Sequence, residues 1–457
     1  MAVTRHVPAL VVGGGISGLV CAYTLRKFGI DAQLVESSPR PGGVINSVTR
    51  DGFLLELGPQ SFSSTAALRQ HCLDLGISNE LLQAPPRAPR YVLVDGELRP
   101  VPLSPPAFFM SSLINASTKW ALLRDIFGKT IPPDTDESVA SFIRRKFSPQ
   151  LLDRLVGPFV SGIYAGDPER LSVRSSFPQL YEAEKVGGSI ARGMLRVAKP
   201  NKGPRERPIL QSFREGNETL VRALANKLGP ALLTSTCVAG VFRQNDGSFQ
   251  IRLENRDGSE SVFTNSLILA TPTDVTGRLL SHLDSSFESL LGSIDYAAVA
   301  VVSLGYFTKD IAHSLNGFGF LVPRSAGLRV LGSVWNSSLF PGRAPEGHAL
   351  LTSFVGGTTD PAAAKLNPEE LASLVHREIS PLLSIRSEPV FSNVTIWPGA
   401  LPQYNLGHSD RLAAVAKLCS RFPGLWLTGN YLRGPAIGSC VEQALAVADE
   451  VRNHLTA

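Results

Sequence analysis

The chain has 457 residues, too many for one ordinary hydrophobic core, and this length favours two or three domains. Its content of 43% hydrophobic and 18% charged residues is typical of a globular protein. Lys and Arg (44) exceed Asp and Glu (39) only slightly and without clustering, so we expect no nucleic-acid partner. The five cysteines are far apart and form no CxxC pair, which indicates reduced core thiols rather than a metal centre.

The apolar runs of the sequence are short. The N-terminal run, VPALVV, leads directly into glycines instead of a signal-peptide cleavage site. No uninterrupted apolar stretch reaches the roughly 18 residues that a membrane-spanning helix needs. We therefore expect a cytoplasmic protein that is soluble or peripheral on the membrane surface.

The first forty residues contain the motif of a dinucleotide-binding fold. Residues 7–12 predict a buried strand, and Gly13, Gly15 and Gly18 follow it in the pattern GxGxxG. A segment with helical spacing comes next, and then a second apolar run that ends at Glu36. Such glycines let backbone N–H groups approach a pyrophosphate at the helix N-terminus, and the acid can bind ribose hydroxyls. The unit predicts a nucleotide site.

A second glycine motif distinguishes FAD from NAD. Arg40, Gly42 and Gly43 lie just beyond the acid, and Ser47 comes four residues after the second of these glycines. The arrangement resembles the RxGGRxxS motif of the flavin amine oxidase superfamily, whose backbone and Arg line the flavin diphosphate. Val44 replaces the second Arg of the motif. The resemblance implies that the cofactor is FAD.

Three further segments resemble parts of the same superfamily. Residues 425–430 predict a strand and glycine turn, and residues 434–441 open a helix. In the superfamily this helix N-terminus lies at the pyrimidine edge of the isoalloxazine. Residues 235–242 resemble the strand that covers the adenine, and residues 267–272 resemble the strand that closes that half. The FAD-binding domain is therefore expected to combine three separated stretches.

Other segments resemble a narrower family. Residues 52–62 (GFLLELGPQSF), 159–167 (FVSGIYAGD), 317–323 (GFGFLVP) and 397–404 (WPGALPQY) are similar to the oxygen-dependent protoporphyrinogen oxidases of haem synthesis. The resemblance extends in unbroken order from about residue 8 to residue 450. The implied cofactor contacts are Gly13, Gly15, Ile16, Ser17, Gly18, Glu36, Ser37, Arg40, Gly42, Gly43, Gly58, Pro59, Val238, Ala270, Trp397, Gly429, Asn430, Ile437, Gly438, Ser439 and Val441.

The resemblance also implies an activity. Members of this family oxidise protoporphyrinogen IX to protoporphyrin IX, passing hydride equivalents to FAD in three rounds, and dioxygen reoxidises the flavin with release of hydrogen peroxide. Hydride transfer needs orientation and exclusion of water more than a titrating side chain. In agreement, the sequence contains no pair of carboxylates and no Ser–His–Asp order, so we expect no acid or base catalyst.

The implied substrate residues are therefore positioning residues: Arg90, Gln60, Gly162, Leu321, Val334 and Phe354. Arg90 is the candidate partner of a propionate, because a guanidinium binds a carboxylate through two parallel hydrogen bonds. The three larger apolar residues match positions that sandwich the macrocycle, and Gly162 belongs to a turn whose backbone lies against it. Gln60 stands where many family members have Asn close to the flavin.

The implied fold is α/β with three parts. A Rossmann-type FAD-binding domain comprises residues 1–85, 205–285 and 396–457, a mixed-sheet substrate domain comprises 86–100 and 286–395, and a helical, membrane-associated domain comprises 101–200. Residues 90–98 predict a hairpin with its turn at Asp95-Gly96, and residues 198–208 predict a polar linker.

The membrane assignment depends on one segment of the helical part, residues 105–131. It combines four apolar residues with three cations: Phe108, Phe109, Met110, Trp120, Lys119, Arg124 and Lys129. This composition fits a helix on a membrane surface and, equally, an amphipathic helix packed on its neighbours. The family resemblance favours the membrane.

Several alternatives stay open at this point. The same chemistry could act on coproporphyrinogen III, which has four propionates and would favour more cations around the cavity. A carotenoid desaturase or an amine oxidase would share the nucleotide segments but not GIYAGD or LPQY. A flavoprotein with a binding or scaffolding role is a third alternative, and a homodimer is also left open.

Overall fold

The computed structural model describes residues 4–102, 104–197 and 209–456. Its strands are β1 (Thr4–Val12), β2 (Ala32–Val35), β3 (Ser47–Arg50), β4 (Phe53–Glu56), β5 (Phe62–Ser63), β6 (Leu81–Gln83), β7 (Arg90–Val94), β8 (Glu97–Pro100), β9 (Leu210–Phe213), β10 (Leu232–Leu233), β11 (Cys237–Arg243), β12 (Phe249–Asn255), β13 (Gly258–Leu269), β14 (Tyr296–Phe307), β15 (Gly319–Leu321), β16 (Val330–Trp335), β17 (His348–Gly356), β18 (Phe391–Pro402) and β19 (Leu425–Leu427). Its α-helices are α1 (Ile16–Lys27), α2 (Ala66–Leu75), α3 (Pro105–Met110), α4 (Ala116–Phe127), α5 (Val139–Lys146), α6 (Pro149–Leu151), α7 (Gly157–Tyr164), α8 (Val173–Ser176), α9 (Pro178–Gly187), α10 (Ile190–Val197), α11 (Glu218–Leu228), α12 (Thr273–Leu280), α13 (Ser286–Gly292), α14 (Asn336–Leu339), α15 (Pro368–Leu383), α16 (His408–Cys419) and α17 (Ile437–Thr456).

The first of two seven-stranded sheets takes its strands from three separated parts of the chain. Its order is β10-β2-β1-β13-β12-β11, with β19 paired to β13. β1 lies parallel to both β2 and β13, and Ala9, Leu10 and Val11 are fully buried. A parallel central strand is covered on both faces, which explains its continuous apolar run. α1 and α17 pack on this sheet, and their buried residues share one core with β1 and β2.

The second sheet is mixed, in the order β18-β14-β17-β16-β15-β7-β8. β15 and β7 are parallel, and the other neighbouring strands are antiparallel. The predicted hairpin at 90–98 is confirmed, with Asp95 and Gly96 at positive φ in its turn. β18 stays paired with β14 as far as Pro402. Residues 396–402, which the family resemblance places in the FAD-binding domain, therefore belong to the second sheet.

Residues 105–197 form α3 to α10, so the prediction of a mainly helical region is confirmed. No helix within the described ranges is both long and apolar enough to cross a bilayer. The predicted linker at 198–208 lies outside the described residues.

A buried polar network connects the helices of this region. The Nζ atom of Lys146 lies 2.6 Å from Asp125 Oδ1 and 3.4 Å from Glu184 Oε1, and all three side chains are at most 4% exposed. Arg145 donates two hydrogen bonds to Glu184, at 2.8 and 2.9 Å. Burial opposes ionisation of Glu184, but hydrogen bonds from Arg145 and Thr130 outweigh it and lower its pKa to about 2. These charged groups therefore fasten α4, α5 and α9 together.

Candidate active site

The glycine turn between β1 and α1 brings the helix close to the sheet. Gly13 has a φ of 105°, and a Cβ added to it would lie 2.8 Å from the carbonyl oxygen of Ala270. A Cβ at Gly18 would clash with the carbonyl oxygen of Gly13. At Gly15, in contrast, an added Cβ would meet nothing within 4 Å. The turn is therefore tight on its protein side and open at the helix N-terminus, which is the geometry that a pyrophosphate requires.

Glu36 closes this turn from the end of the second strand. Its Oε2 accepts a hydrogen bond from the Gly14 N–H at 2.6 Å, and its Oε1 accepts one from the Ser38 N–H at 2.7 Å. The Ser37 hydroxyl is exposed and lies 3.3 Å from the same Oε1. The backbone N–H of Thr236 donates to the Glu36 carbonyl oxygen. Val238 follows Thr236 by two residues, so this hydrogen bond holds the start of β11 beside the end of β2.

The second glycine loop lies directly against the first. Gly15 and Gly42 form a parallel bridge, and the Gly42 N–H donates to the Gly14 carbonyl oxygen at 2.7 Å. The Arg40 guanidinium donates to the carbonyl oxygens of Gly43 at 2.7 Å and Ile45 at 2.9 Å. The arginine thus stabilises its own loop, and this loop is hydrogen-bonded to the first glycine turn beside the N-terminus of α1.

The C-terminal stretch lies beside the glycine turn and forms the third part of the expected nucleotide cleft, which is the space at the N-termini of α1 and α17. Ala270 follows β13, and its N–H donates to the Val12 carbonyl oxygen at 2.7 Å beside the glycine turn. Gly429 and Asn430 come after β19, and Ile437, Gly438 and Val441 are buried in the first turns of α17. α17 packs on α1, and burial raises the pKa of Cys440 to about 11 next to Ser17. Ile16 and Ser17 form the start of α1, so both helices begin at the cleft.

Tyr404 fastens the loop that precedes α17, a role that was not predicted. Its hydroxyl donates to the Asn430 carbonyl oxygen and accepts a hydrogen bond from the Gly434 N–H at 2.7 Å. The ring also stacks on His408, with centroids 4.4 Å apart. The tyrosine of the LPQY segment was the sequence signal for this role, because a buried aromatic hydroxyl requires a polar partner.

Gly58 and Pro59 lie where the two sheets meet. Trp397 on β18 donates through Nε1 to the Leu57 carbonyl oxygen at 2.6 Å. A side chain at Gly58 would clash with the Val44 carbonyl oxygen. This loop therefore contacts the second glycine loop on one side and the second sheet on the other.

The amide of Gln60 is wholly occupied by structural hydrogen bonds. Its Nε2 donates to the carbonyl oxygens of Glu56 at 2.9 Å and Gly58 at 2.8 Å. Its Oε1 accepts a hydrogen bond from Asn336 Nδ2 at 2.7 Å. The side chain is 7% exposed, so it holds the shape of the 56–60 loop and connects it to α14.

A buried ion pair supports the same loop and was not predicted. Arg343 Nη2 lies 3.7 Å from Glu56 Oε1, and each side chain is 1% exposed. Glu56 also accepts hydrogen bonds from Ser47 Oγ at 2.6 Å and from the Asn217 N–H at 2.9 Å. Burial raises the pKa of Glu56 to about 7, against the opposing effect of Arg343. The motif stretch contained Glu56 without indicating a role for it, and nothing in the sequence indicated Arg343.

The strand register places the three predicted apolar residues on one face of the second sheet. Leu321 pairs with Gly332, which pairs in turn with Phe354, and Val334 lies two residues beyond Gly332. Residues that pair directly or are separated by two along a strand share a face. Gly162, which was predicted to lie in a turn, lies within α7. An added Cβ at Gly162 would lie 2.6 Å from Leu321 Cδ2, so this face looks towards α7.

The opposite face of these strands belongs to a hydrophobic core. Phe320, Trp335 and Val355 are each at most 2% exposed and pack with residues of α15. Leu321 and Phe354 are instead half-buried. Val334 on the same face is buried in a small core cluster, so Leu321 and Phe354 are the accessible residues among the three predicted ones.

Arg90 and Trp397 lie towards opposite edges of this face of the second sheet. Arg90 pairs with Gly319 at the β7 side, while Trp397 pairs with Val299, which pairs with Gly356 two residues beyond Phe354. The Arg90 guanidinium is exposed, 5.5 Å from the Phe318 ring centroid. Within the described ranges it has no hydrogen bond or ion pair. It is available for a carboxylate.

The two-sheet fold and the glycine turns at the start of α1 are those of a dinucleotide-binding flavoenzyme. The family profile described as flavin-containing amine oxidoreductase matches residues 16–452, and the chain belongs to this family. It is an FAD-dependent oxidoreductase.

Individual relatives are similar along nearly the whole chain. Protoporphyrinogen oxidase 1, chloroplastic, from Spinacia oleracea is 36% identical over 98% of this chain and 84% of the relative. Coproporphyrinogen III oxidase from Bacillus subtilis is 28% identical over 99% of this chain and 98% of the relative. Among solved structures, a protein from Exiguobacterium sp. 255-15 has a TM-score of 0.80 at 24% identity and full coverage of both chains. Cyclohexylamine oxidase from Brevibacterium oxydans has a TM-score of 0.70 at 16% identity, covering 99% of this chain and 100% of that one.

Proposed function

We propose that this protein oxidises protoporphyrinogen IX to protoporphyrin IX, with dioxygen as acceptor and hydrogen peroxide as the second product. The observation that carries the proposal is the apolar face between Arg90 and Trp397, which combines a wall for a macrocycle with one unpaired cation at its edge. The names of the chloroplastic relatives support the substrate. The name of the Bacillus subtilis relative supports coproporphyrinogen III as a second candidate.

Each part of the chain has a separate role in this proposal. The glycine turns, Glu36, the 58–59 loop and the start of α17 hold FAD, which supplies the hydride-accepting chemistry when bound. Leu321, Val334 and Phe354 pack against the macrocycle and exclude water from it. Arg90 binds a propionate and sets the orientation of the ring. No side chain has to transfer a proton, so the contribution of the protein is positioning.

The test is an assay of the purified holoenzyme with each porphyrinogen separately, in air, following porphyrin fluorescence and peroxide. We expect faster oxidation of protoporphyrinogen, and Arg90→Ala should raise KM roughly tenfold to hundredfold, because a charge-assisted hydrogen-bond pair is lost. Arg377→Ala is the control, since Arg377 is exposed on α15, on the opposite side of the same sheet. Unchanged kinetics in Arg90→Ala would remove this residue from the site, and absence of turnover with both porphyrinogens would refute the proposed substrate.

We further propose that the helical region contacts an anionic membrane surface. The four most exposed large apolar side chains of its described part are Met110 (86% exposed), Trp120 (69%), Phe127 (82%) and Ile131 (85%). Lys119, Arg124 and Lys129 lie among them in the sequence. Exposed apolar groups beside cations are typical of peripheral membrane binding.

Sedimentation with phosphatidylglycerol vesicles tests this contact. The double variant Trp120→Ser/Phe127→Ser should weaken binding at least about hundredfold, because burial of each ring contributes roughly 1.5–3 kcal/mol. Leu73→Ser is the matched control, since Leu73 is 61% exposed on α2 of the first domain. Equal vesicle binding by the parent and the double variant would exclude this surface.

A further inference from the structure

A cavity lies between α8, α16 and α17, next to the start of α17, and it shares Ser439 with the expected cofactor contacts. Its volume is about 450 Å³, within the range of sites for small organic molecules. α8 contributes Arg174 and Ser175, α16 contributes His408 and Ser409, and the loop before α17 contributes Arg433. We call this cavity the α17 pocket.

The wall formed by α17 contains an unsatisfied buried amide. Ser439, Glu442 and Gln443 all line the pocket, and their spacing of three and four residues places them on one face of the helix. Gln443 is 6% exposed, yet neither its Nε2 nor its Oε1 has a hydrogen-bond partner among the described residues. Buried polar groups are nearly always paired, because leaving one unpaired is costly. This amide therefore presents a free donor and a free acceptor to the pocket.

His408 provides a second unsatisfied atom. The side chain is 1% exposed, and its Nε2 lies 2.9 Å from the carbonyl oxygen of Tyr431, to which it can donate. Its Nδ1 has no partner among the described residues. Burial lowers the pKa of His408 to about 4, so the ring is neutral near pH 7 and Nδ1 is an acceptor.

The charge around the pocket is positive. Arg174 and Arg433 are exposed at its rim, and neither forms an ion pair or hydrogen bond within the part of the chain that the structure describes. Glu442 is the one carboxylate among the lining residues. By comparison, Arg144 on α5 is paired with one glutamate, and Arg145 on the same helix is paired with two. Two free guanidinium groups on one small cavity match an anion with two negative charges.

We propose that the α17 pocket binds a phosphate monoester whose phosphate is held by Arg174 and Arg433 and whose polar carbon part is bound by Gln443. The His408 Nδ1 atom accepts a hydrogen bond from a hydroxyl of the same ligand. The ester could come from a free metabolite or from the headgroup of an anionic phospholipid, since both present the same group. This site is independent of the porphyrinogen assignment, because none of its residues lies on the face of the second sheet that contains Leu321 and Phe354.

Calorimetric titration of the FAD-loaded protein tests the site, with glycerol 3-phosphate as the soluble probe and phosphatidic acid vesicles as the lipid probe. We expect saturable binding of one probe, weakened at least about tenfold in Arg174→Gln/Arg433→Gln. Arg377→Gln should bind like the parent. Binding of the soluble probe identifies a metabolite site. Binding only of the vesicles identifies a headgroup site when it falls in Arg174→Gln/Arg433→Gln, since the membrane surface at Trp120 and Phe127 is unchanged in that variant.

Gln443→Leu separates a ligand site from a packing defect. Replacing an unpaired buried amide with an apolar group of similar size should leave thermal stability and flavin content unchanged or improved. Binding of the probe should nevertheless fall at least about tenfold, because the polar contacts to the carbon part are lost. No saturable binding of either probe, or equal binding in the parent and both sets of variants, would overturn the proposal.

Discussion

The Gly18→Ala variant should be purified with much less FAD than the parent, and its porphyrinogen oxidation should fall in proportion to the lost flavin. The added methyl group would clash with the Gly13 carbonyl oxygen, and it would also approach the Ala270 side chain. α1 must then move away from β1, and its first N–H groups move with it, away from the position of the pyrophosphate. Overpacking of this kind costs about 1–3 kcal/mol, so FAD should bind roughly tenfold to hundredfold more weakly.

The measurement is the ratio of flavin to protein absorbance after purification, followed by titration of the apoprotein with FAD. Gly292→Ala is the matched control, because a Cβ at Gly292 would meet nothing within 4 Å. Far-ultraviolet circular dichroism separates loss of cofactor from loss of the fold. A Gly18→Ala protein with the full flavin content of the parent would show that close packing of α1 is not needed for the site.

Lys146→Met should produce the largest loss of stability among the substitutions considered. The substitution keeps most of the buried volume but removes the ammonium group, which lies 2.6 Å from Asp125 and donates to Thr130 at 2.6 Å. Asp125 and Glu184 would then remain buried with less positive charge nearby. Breaking a buried ion pair from one side typically costs about 3–5 kcal/mol.

Thermal and denaturant unfolding of the holoenzyme measure this loss. Lys185→Met is the control, since Lys185 is exposed on α9 in the same helical region and should change the free energy of unfolding by less than about 0.5 kcal/mol. If Lys146→Met unfolded at the same denaturant concentration as the parent, the network would contribute little to stability. Because a chain of 457 residues can unfold in several steps, the midpoint of each transition should be compared separately.

The proposed active site depends on both sheets. The first sheet and its helices provide the glycine turns and the start of α17, while the second sheet provides the apolar face and Arg90. The 56–60 loop joins them through Trp397, Asn336 and Arg343. Substitutions at this junction are therefore expected to affect flavin binding and substrate binding together.

Local features were determined by the sequence itself. The strand, glycine turn, helix and acid of the first forty residues are contiguous, and each step follows from backbone conformation and from charge at a helix N-terminus. The β7–β8 hairpin could also be predicted locally, because its turn depends only on Asp95-Gly96 and the two flanking strands. The helical character of residues 105–197 also needed no distant contact.

Only the tertiary structure decided which side of the second sheet packs on α15 and which side is left for the proposed substrate. Alternation along a strand shows which residues share a face, but β16 is buried at every position, so hydrophobicity does not distinguish its two faces. The pairings of Glu56 with Arg343 and of Gln60 with Asn336 join residues far apart in the chain, and no local pattern indicates them. The α17 pocket has the same origin, because its unpaired groups come from three helices and the loop before α17, which meet only in the folded chain.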